Sequence, residues 1–392
     1  MKTSSLLFLL IGLVFPAMSV VRSQTEYATY AACAEHAAAL SSQDKLDSAI
    51  LYFDRAISIW KDGDGKEQLA NGYIGRGRAY MSKAHRGKDD ALWQRALEDF
   101  TKSIEITPDK YFPYVAIAFY FLQKDQPDIA LTYYNKAVEV EPNNARPYFE
   151  RGFRYYYEKK LYDEALADFS KCVSFITPKS YDEATKTYKI TTVDRTITAS
   201  ERGYYFQYRG RCYANKGGTA NDNLALADYN SAINEDPGEA TAYYNRALVL
   251  TNFNKNDAAL DDFNKAISLR SNLAGAYRWR GALLYKQQNY DAALRDLLKA
   301  VELAPDDYFD AYVRASTISL IRQKPDDAIY YANKALNYEL YRGDKAEVYY
   351  NRGYAYWLKG KTNQTISDFK KAADYGNAEA RKQLRNSFKI NY

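Results

Sequence analysis

The chain has 392 residues, 47% of them hydrophobic and 26% charged, with a formal charge of +5. That apolar share supplies a core and excludes disorder, and the cations stand interspersed among acids, which excludes the concentrated basic face that nucleic-acid binding requires. Two histidines and three cysteines, with no His, Cys or carboxylate cluster at ligand spacing, exclude a catalytic metal centre, and no cofactor is expected.

At the N-terminus, Lys2, an apolar run from Leu6 to Phe15, then Pro16 and small residues have the layout of a secretory signal. Residues 1–23 are read as that signal, with cleavage after Ser23, or after Ser19 as the alternative. The expectation is an exported protein, periplasmic or secreted. Its mature chain, 24–392, loses Lys2 and Arg22 and carries 52 − 49 = +3. No later stretch is apolar enough over sufficient length to span a bilayer.

From residue 27 onward the apolar residues recur three and four apart in paired segments, the helical period. The pairs fall near 27–60, 70–108, 111–142, 145–177, 203–237, 240–271, 274–305, 309–340 and 346–377, all within an array of 24–392. The first is poor in the recurring residues, as a terminal cap is. In the second, the polar stretch from His85 to Asp89 predicts a lengthened loop projecting from one edge. The third and fourth are the most aromatic. Between them and the fifth, residues 178–202 form an insertion of β-branched residues in near alternation. There Thr187–Ile190 and Thr196–Thr198 pair across Val193, Asp194 and Arg195, or the segment is a plain extended loop; both readings fit. After the ninth pair, residues 378–388 predict one more helix whose polar face closes the stack.

The clearest copy runs from Asn272 to Asp306. Its Tyr277, Gly281, Ala293, Ala300 and Pro305 resemble the tetratricopeptide repeat, a helix-turn-helix of 34 residues, with Leu284 and Leu297 in place of two aromatics. The alanine of the second helix recurs as Ala49, Ala96, Ala130, Ala165, Ala225, Ala259, Ala293 and Ala328, with Thr365 in the last copy. The small residue of the first helix precedes it as Ala37, Gly77, Ala118, Gly152, Gly210, Ala247, Gly281, Ser316 and Gly353. The fold class expected is all-α, a right-handed α-solenoid superhelix of about nine such pairs with a C-terminal capping helix.

The resemblance also implies a concave groove lined by the first helices, which holds peptides or partner proteins. Aligned on the small residues, the groove positions are Val115, Phe119, Phe149, Phe153, Tyr156 and Tyr157 in the third and fourth pairs. Later pairs add Gln207, Arg211, Tyr244, Leu248, Arg278, Tyr350, Tyr354 and Trp357. The lysine, asparagine and arginine cluster with which chaperone-binding members hold a peptide C-terminus is missing. An exported scaffold binding a protein or peptide segment is therefore expected; a glycan-binding envelope protein, its tyrosines stacked on sugar rings, is the alternative. Neither a Gly-x-Ser-x-Gly elbow nor a phosphate loop is present, and no enzymatic role is expected.

Finally, arginine stands immediately before the small residue in six pairs, as Arg76, Arg151, Arg209, Arg246, Arg280 and Arg352. Aspartate stands three residues after the second-helix alanine in the same six, as Asp99, Asp168, Asp228, Asp262, Asp296 and Asp368. In the other three pairs that place is held by Tyr52, Tyr133 and Tyr331. The two residues come and go together within a pair, which predicts a structural ion pair inside each copy. The cysteines are read as buried free thiols, with one bridge between Cys172 and Cys212 as the alternative.

Overall fold

A computed structural model describes residues 29–176, 180–182, 187–189, 197–308 and 310–392. The expected signal at 1–23 lies outside the described residues. The chain divides into two compact bodies, residues 1–196 and 197–392. Among the described residues, the N-terminal body holds four helix pairs: α1 (Tyr30–Ser42) with α2 (Leu46–Ile59), α3 (Lys66–Gly87) with α4 (Asp90–Ile106), α5 (Tyr111–Gln123) with α6 (Pro127–Val140), and α7 (Ala145–Arg154) with α8 (Tyr162–Ile176). The C-terminal body holds five: α9 (Ala199–Lys216) with α10 (Thr219–Glu235), α11 (Ala240–Asn252) with α12 (Asn256–Leu269), α13 (Ala274–Lys286) with α14 (Tyr290–Leu303), α15 (Asp310–Ile321) with α16 (Pro325–Ala335), and α17 (Arg342–Leu358) with α18 (Thr362–Asp374). Helix α19 (Ala378–Phe388) packs on α18 and closes the array. Within each body, each pair is an antiparallel hairpin stacked on the next, the arrangement of an α-solenoid.

The small residues set how closely the two helices of a pair approach. A methyl group built on Gly353 would lie 2.8 Å from the Phe369 ring, and one on Gly152 would lie 2.9 Å from Cβ of Asp168. In the third pair the alanines themselves meet Tyr134, and Ala118, Ala130 and Tyr134 are all buried. The turn inside a pair is equally regular. A residue with positive φ stands seven positions after the small residue, as Asp44, Asp125, Asn254, Gln288, Gln323 and Gly360. There the chain leaves the first helix through a left-handed residue and re-enters the second within a few residues.

Two pairs depart from this count, and each absorbs its extra residues in the helix. In the fourth pair the positive-φ residue is Lys160, eight after Gly152, and the surplus residue is taken up by a π-turn over Tyr155–Lys159. In the second pair it is Lys88, eleven after Gly77. The stretch His85–Asp89 is not a projecting loop: α3 continues through it to Gly87, and Asp89 caps α4 by accepting from the Ala91 and Leu92 amides at 2.9 and 3.2 Å. One added helical turn keeps the hydrogen-bond ladder intact, and the Arg86 cation suits the C-terminal end of a helix.

In the insertion, strands β1 (Ser180–Asp182) and β2 (Thr187–Lys189) pair antiparallel with Tyr181 opposite Tyr188. The described partner of the 187–189 strand is thus upstream; Ile190 and Thr196 of the expected pairing lie outside the described residues. Thr198 is recruited instead as the N-cap of α9 in a capping box with Glu201, a Thr-x-x-Glu signature present in the sequence. Cys33, Cys172 and Cys212 are buried and form no disulfide. Burial pushes the Cys172 thiol well above its ordinary value.

Candidate functional site

The six Arg–Asp positions meet inside their own pairs. Arg151 donates from Nε and Nη2 to the two oxygens of Asp168 at 2.9 and 2.7 Å, and Arg246 does the same to Asp262 at 2.7 Å for both bonds. Arg76–Asp99, Arg209–Asp228, Arg280–Asp296 and Arg352–Asp368 repeat the fork at 2.6 to 2.9 Å. All six aspartates are buried. Burial raises Asp99, Asp168 and Asp228 above the usual carboxylate value against the pull of their arginines, while the fork holds the Arg76 guanidinium firmly charged.

In five of the six forks Nη1 reaches backward, which the sequence reading missed. It bonds the preceding pair: Arg76 to Asp54 at 2.5 Å, Arg151 to Asn135 at 3.0 Å, Arg246 to Asn230 and Arg280 to Asn264 at 2.7 Å, and Arg352 to Asn333 at 2.6 Å. The acceptor always stands five residues after the second-helix alanine. A signal existed, because asparagine or aspartate occupies that place wherever the next pair within the same body carries the arginine. The three pairs without the ion pair use rings instead. His36 meets Tyr52 edge-on at 4.5 Å, Phe121 stacks on Tyr133 at 5.4 Å, and Tyr312 stacks on Tyr331 at 6.4 Å.

The expected groove residues do not form one open surface. Val115 packs with Ala118, Ala130 and Tyr134. Phe119 is covered by Trp93 at 5.9 Å and His85 at 6.4 Å, with the Arg154 guanidinium 5.8 Å over its ring. Phe149 lies 5.7 Å from Phe169 and 6.2 Å from Phe153, which lies 4.5 Å from Tyr157. Tyr157 is exposed, but Tyr156 is only 8% exposed and sits edge-on to Tyr162 at 5.4 Å. Tyr156 is therefore a core residue, since the surplus residue that makes the π-turn rotates it inward. A carboxyl in the same pair, Glu150, is raised above its ordinary value by burial in spite of Arg154.

In the C-terminal body, Gln207 is buried, and Arg211 stacks on Tyr208 at 5.2 Å. Tyr244 is half-buried beside Phe263 at 6.1 Å, its hydroxyl packed where a side chain on Gly275 would stand, and burial pushes it up to about 12. Arg278 is tied to Asp310 at 2.8 Å. Tyr350, Tyr354 and Trp357 are not a free cluster. Tyr350 stacks on Phe369 at 5.6 Å, Tyr354 meets Trp357 at 5.7 Å, and Phe388 of the capping helix lies 5.9 Å from Trp357.

An open cleft lies one pair earlier than the aromatic patch. It encloses about 350 Å³ among α1, α2 and α3, lined by Ala38, Ser41, Ser42, Phe53, Gly75, Arg78 and Ser82 among others. Its space comes from small side chains on two successive first helices. Ser41 Oγ is shut from solvent with no hydrogen-bond partner among the described residues. The Arg78 guanidinium lies 4.9 Å over the Phe112 ring of α5. Among the described residues, no group of three or more His, Cys, Asp or Glu side chains suits a metal ion, and no helix is long and apolar enough to cross a membrane.

Models of the tetratricopeptide repeat match residues 113–144, 240–273, 274–307 and 346–375, which are the third, sixth, seventh and ninth pairs. Among solved structures, PilF of Pseudomonas aeruginosa is 18% identical, over 62% of this chain and 94% of its own, with a TM-score of 0.49. The C-terminal part of a repeat protein from Cytophaga hutchinsonii is 20% identical over 68% and 98%, with a TM-score of 0.48. YrrB, described as a repeat protein with an unusual peptide-binding site, is 23% identical over 57% and 97%, with a TM-score of 0.38. Four copies match the family's own pattern, and over these residues the chain carries tetratricopeptide repeats.

Proposed function

We propose that the protein is an exported scaffold that holds an extended segment of a partner protein in the cleft between α1 and α3. The fold is that of a protein–protein interaction scaffold, and repeats of this family generally bind proteins or peptides without catalysing a reaction. The observation that carries the finer reading is the cleft itself. Its volume of about 350 Å³ falls inside the range of roughly 300–1,000 Å³ usual for ligand sites. It combines an apolar floor of Ala38, Phe53 and Ala79 with the polar groups Ser82 and Arg78. Export rests on the N-terminal layout, and an intact mass beginning at Gln24 supports it, whereas a retained Met1 refutes it. The test of the site is to fill it. Ala38→Trp with Ser82→Trp is expected to leave helicity unchanged and to weaken partner capture at least about tenfold, ~1.4 kcal/mol. Undiminished capture by the filled variant would move the site elsewhere.

A further inference from the structure

Among the described residues that line the cleft between α1 and α3, Arg78 is the one charged side chain. It stands in a stripe with Gly75, Ala79 and Ser82, which share one face of α3 because they recur three, four and seven apart. The Phe53 ring lies where a side chain on Gly75 would stand, and so offers an apolar seat one helical turn before Arg78. Three other cations of α3 are already occupied. Arg76 holds Asp99 and Asp54, Lys83 holds Asp47, and Arg86 holds Asp44. Arg78 is exposed and forms no ion pair among the described residues. Its guanidinium rests instead 4.9 Å over the Phe112 ring, and Phe112 is itself set edge-on against the buried Phe100 at 6.1 Å. A guanidinium whose face lies on a ring keeps its N–H edge open, and that edge matches the two oxygens of one carboxylate.

We propose that Arg78 sets the specificity of the cleft, selecting a partner segment that carries an internal aspartate or glutamate beside a large apolar residue. The carboxylate lies on the guanidinium edge, and the apolar side chain lies on Phe53 and Ala79. This inference rests on the cleft being the binding site. Charge complementarity carries it, because the cleft presents one unpaired cation and no lining carboxylate. A basic segment would set like charge against Arg78. A phosphorylated side chain, with about two charges, would leave one of them unmet beside an apolar floor. The acid is internal to the segment, because the lysine, asparagine and arginine cluster that would hold a peptide C-terminus is missing from this chain.

The test selects a phage-displayed library of random peptides on the full chain, each peptide joined to the coat protein at its C-terminus so that no peptide ends in a free carboxylate. Clones that also bind the variant carrying Ala38→Trp with Ser82→Trp are discarded. The clones that remain, which depend on the cleft, are expected to be enriched in Asp or Glu next to a large apolar residue. A synthetic peptide of their consensus, amidated at its C-terminus, should lose about tenfold in affinity when its acid is changed to the amide. That change tests the contact in the unaltered protein. Arg78→Gln should weaken the acidic peptide about as much and leave binding of the amide peptide nearly unchanged. Arg78→Glu should turn the selection toward Lys and Arg. Cleft-dependent clones with no enrichment in acid overturn the proposal while leaving the cleft as the site. Losses that simply add across the peptide and protein changes overturn it too. A library that yields no cleft-dependent clone refutes the cleft, and this inference with it.

Discussion

Replacing Asp262 by alanine removes both oxygens that Arg246 holds at 2.7 Å, and replacing Arg246 removes the only fork on a carboxylate that is 6% exposed. Breaking a buried ion pair by deleting one partner typically costs about 3–5 kcal/mol. The Arg246 side chain is 24% exposed and also bonded to Asn230, so Asp262→Ala leaves a cation that water and Asn230 still satisfy; about 3 kcal/mol is expected. Arg246→Ala strands the carboxylate, and about 4 kcal/mol is expected. The double variant strands nothing. It should therefore cost about 4 kcal/mol and not 7, a coupling of about 3 kcal/mol. Asn230→Ala should add about 1 kcal/mol in the parent and almost nothing once Arg246 is gone. The assay is urea unfolding followed by two probes, because an array need not unfold in one step, supported by hydrogen exchange of the α11 and α12 amides. If the single costs add to within about 0.5 kcal/mol, the fork does not hold the pair together.

Other consequences follow from the same contacts. Tyr331→Asp places a carboxylate where the pair has no arginine, and thermal unfolding should report a loss of about 2–4 kcal/mol that Ala315→Arg largely restores; no rescue would mean the two positions are not interchangeable with an ion pair. The three buried thiols should stay unreactive to Ellman's reagent in the native protein and all three should react in guanidinium, whereas one reactive thiol would reveal a bridge. Burial raises Tyr134 from 10.0 to about 12, so its stabilising contribution is whole below pH 10 and is lost as pH rises through 12. Absorbance at 295 nm should then show late-titrating tyrosines that coincide with alkaline unfolding; a single titration near pH 10 with the fold intact would contradict this.

Much of the fold was legible because one steric fact repeats. Two helices approach closely only at small residues, so Gly77, Gly152, Gly281 and their counterparts fixed the register of every pair, and Arg–Asp covariation fixed which helices touch. The failures have equally local causes. The count from Gly152 to Ala165 is one residue longer than in the third pair, and nothing in that count says whether a loop or a helix absorbs it; the π-turn does, and Tyr156 turns inward. The Asn135 and Asn264 bridges were visible only in a comparison between adjacent pairs, and comparison within pairs hid them. The site was the least legible part. Aromatic residues at groove positions suggested exposure, yet Phe119, Phe149 and Tyr350 cover one another or are covered, while a cleft arises where side chains are missing, at Ala38, Gly75 and Ser82. Small residues at those places read as packing.

The account stands most directly on site-specific photocrosslinking in the native host, with benzoylphenylalanine placed at Ser42 or Ser82 in the cleft, or at Leu224, which is 47% exposed and far along the chain. The account predicts one crosslinked protein species from Ser42 and Ser82, none from Leu224, and loss of the species when Ala38→Trp fills the cleft. Crosslinks that persist at Ser82 in the filled variant, or that form from Leu224 alone, would contradict it.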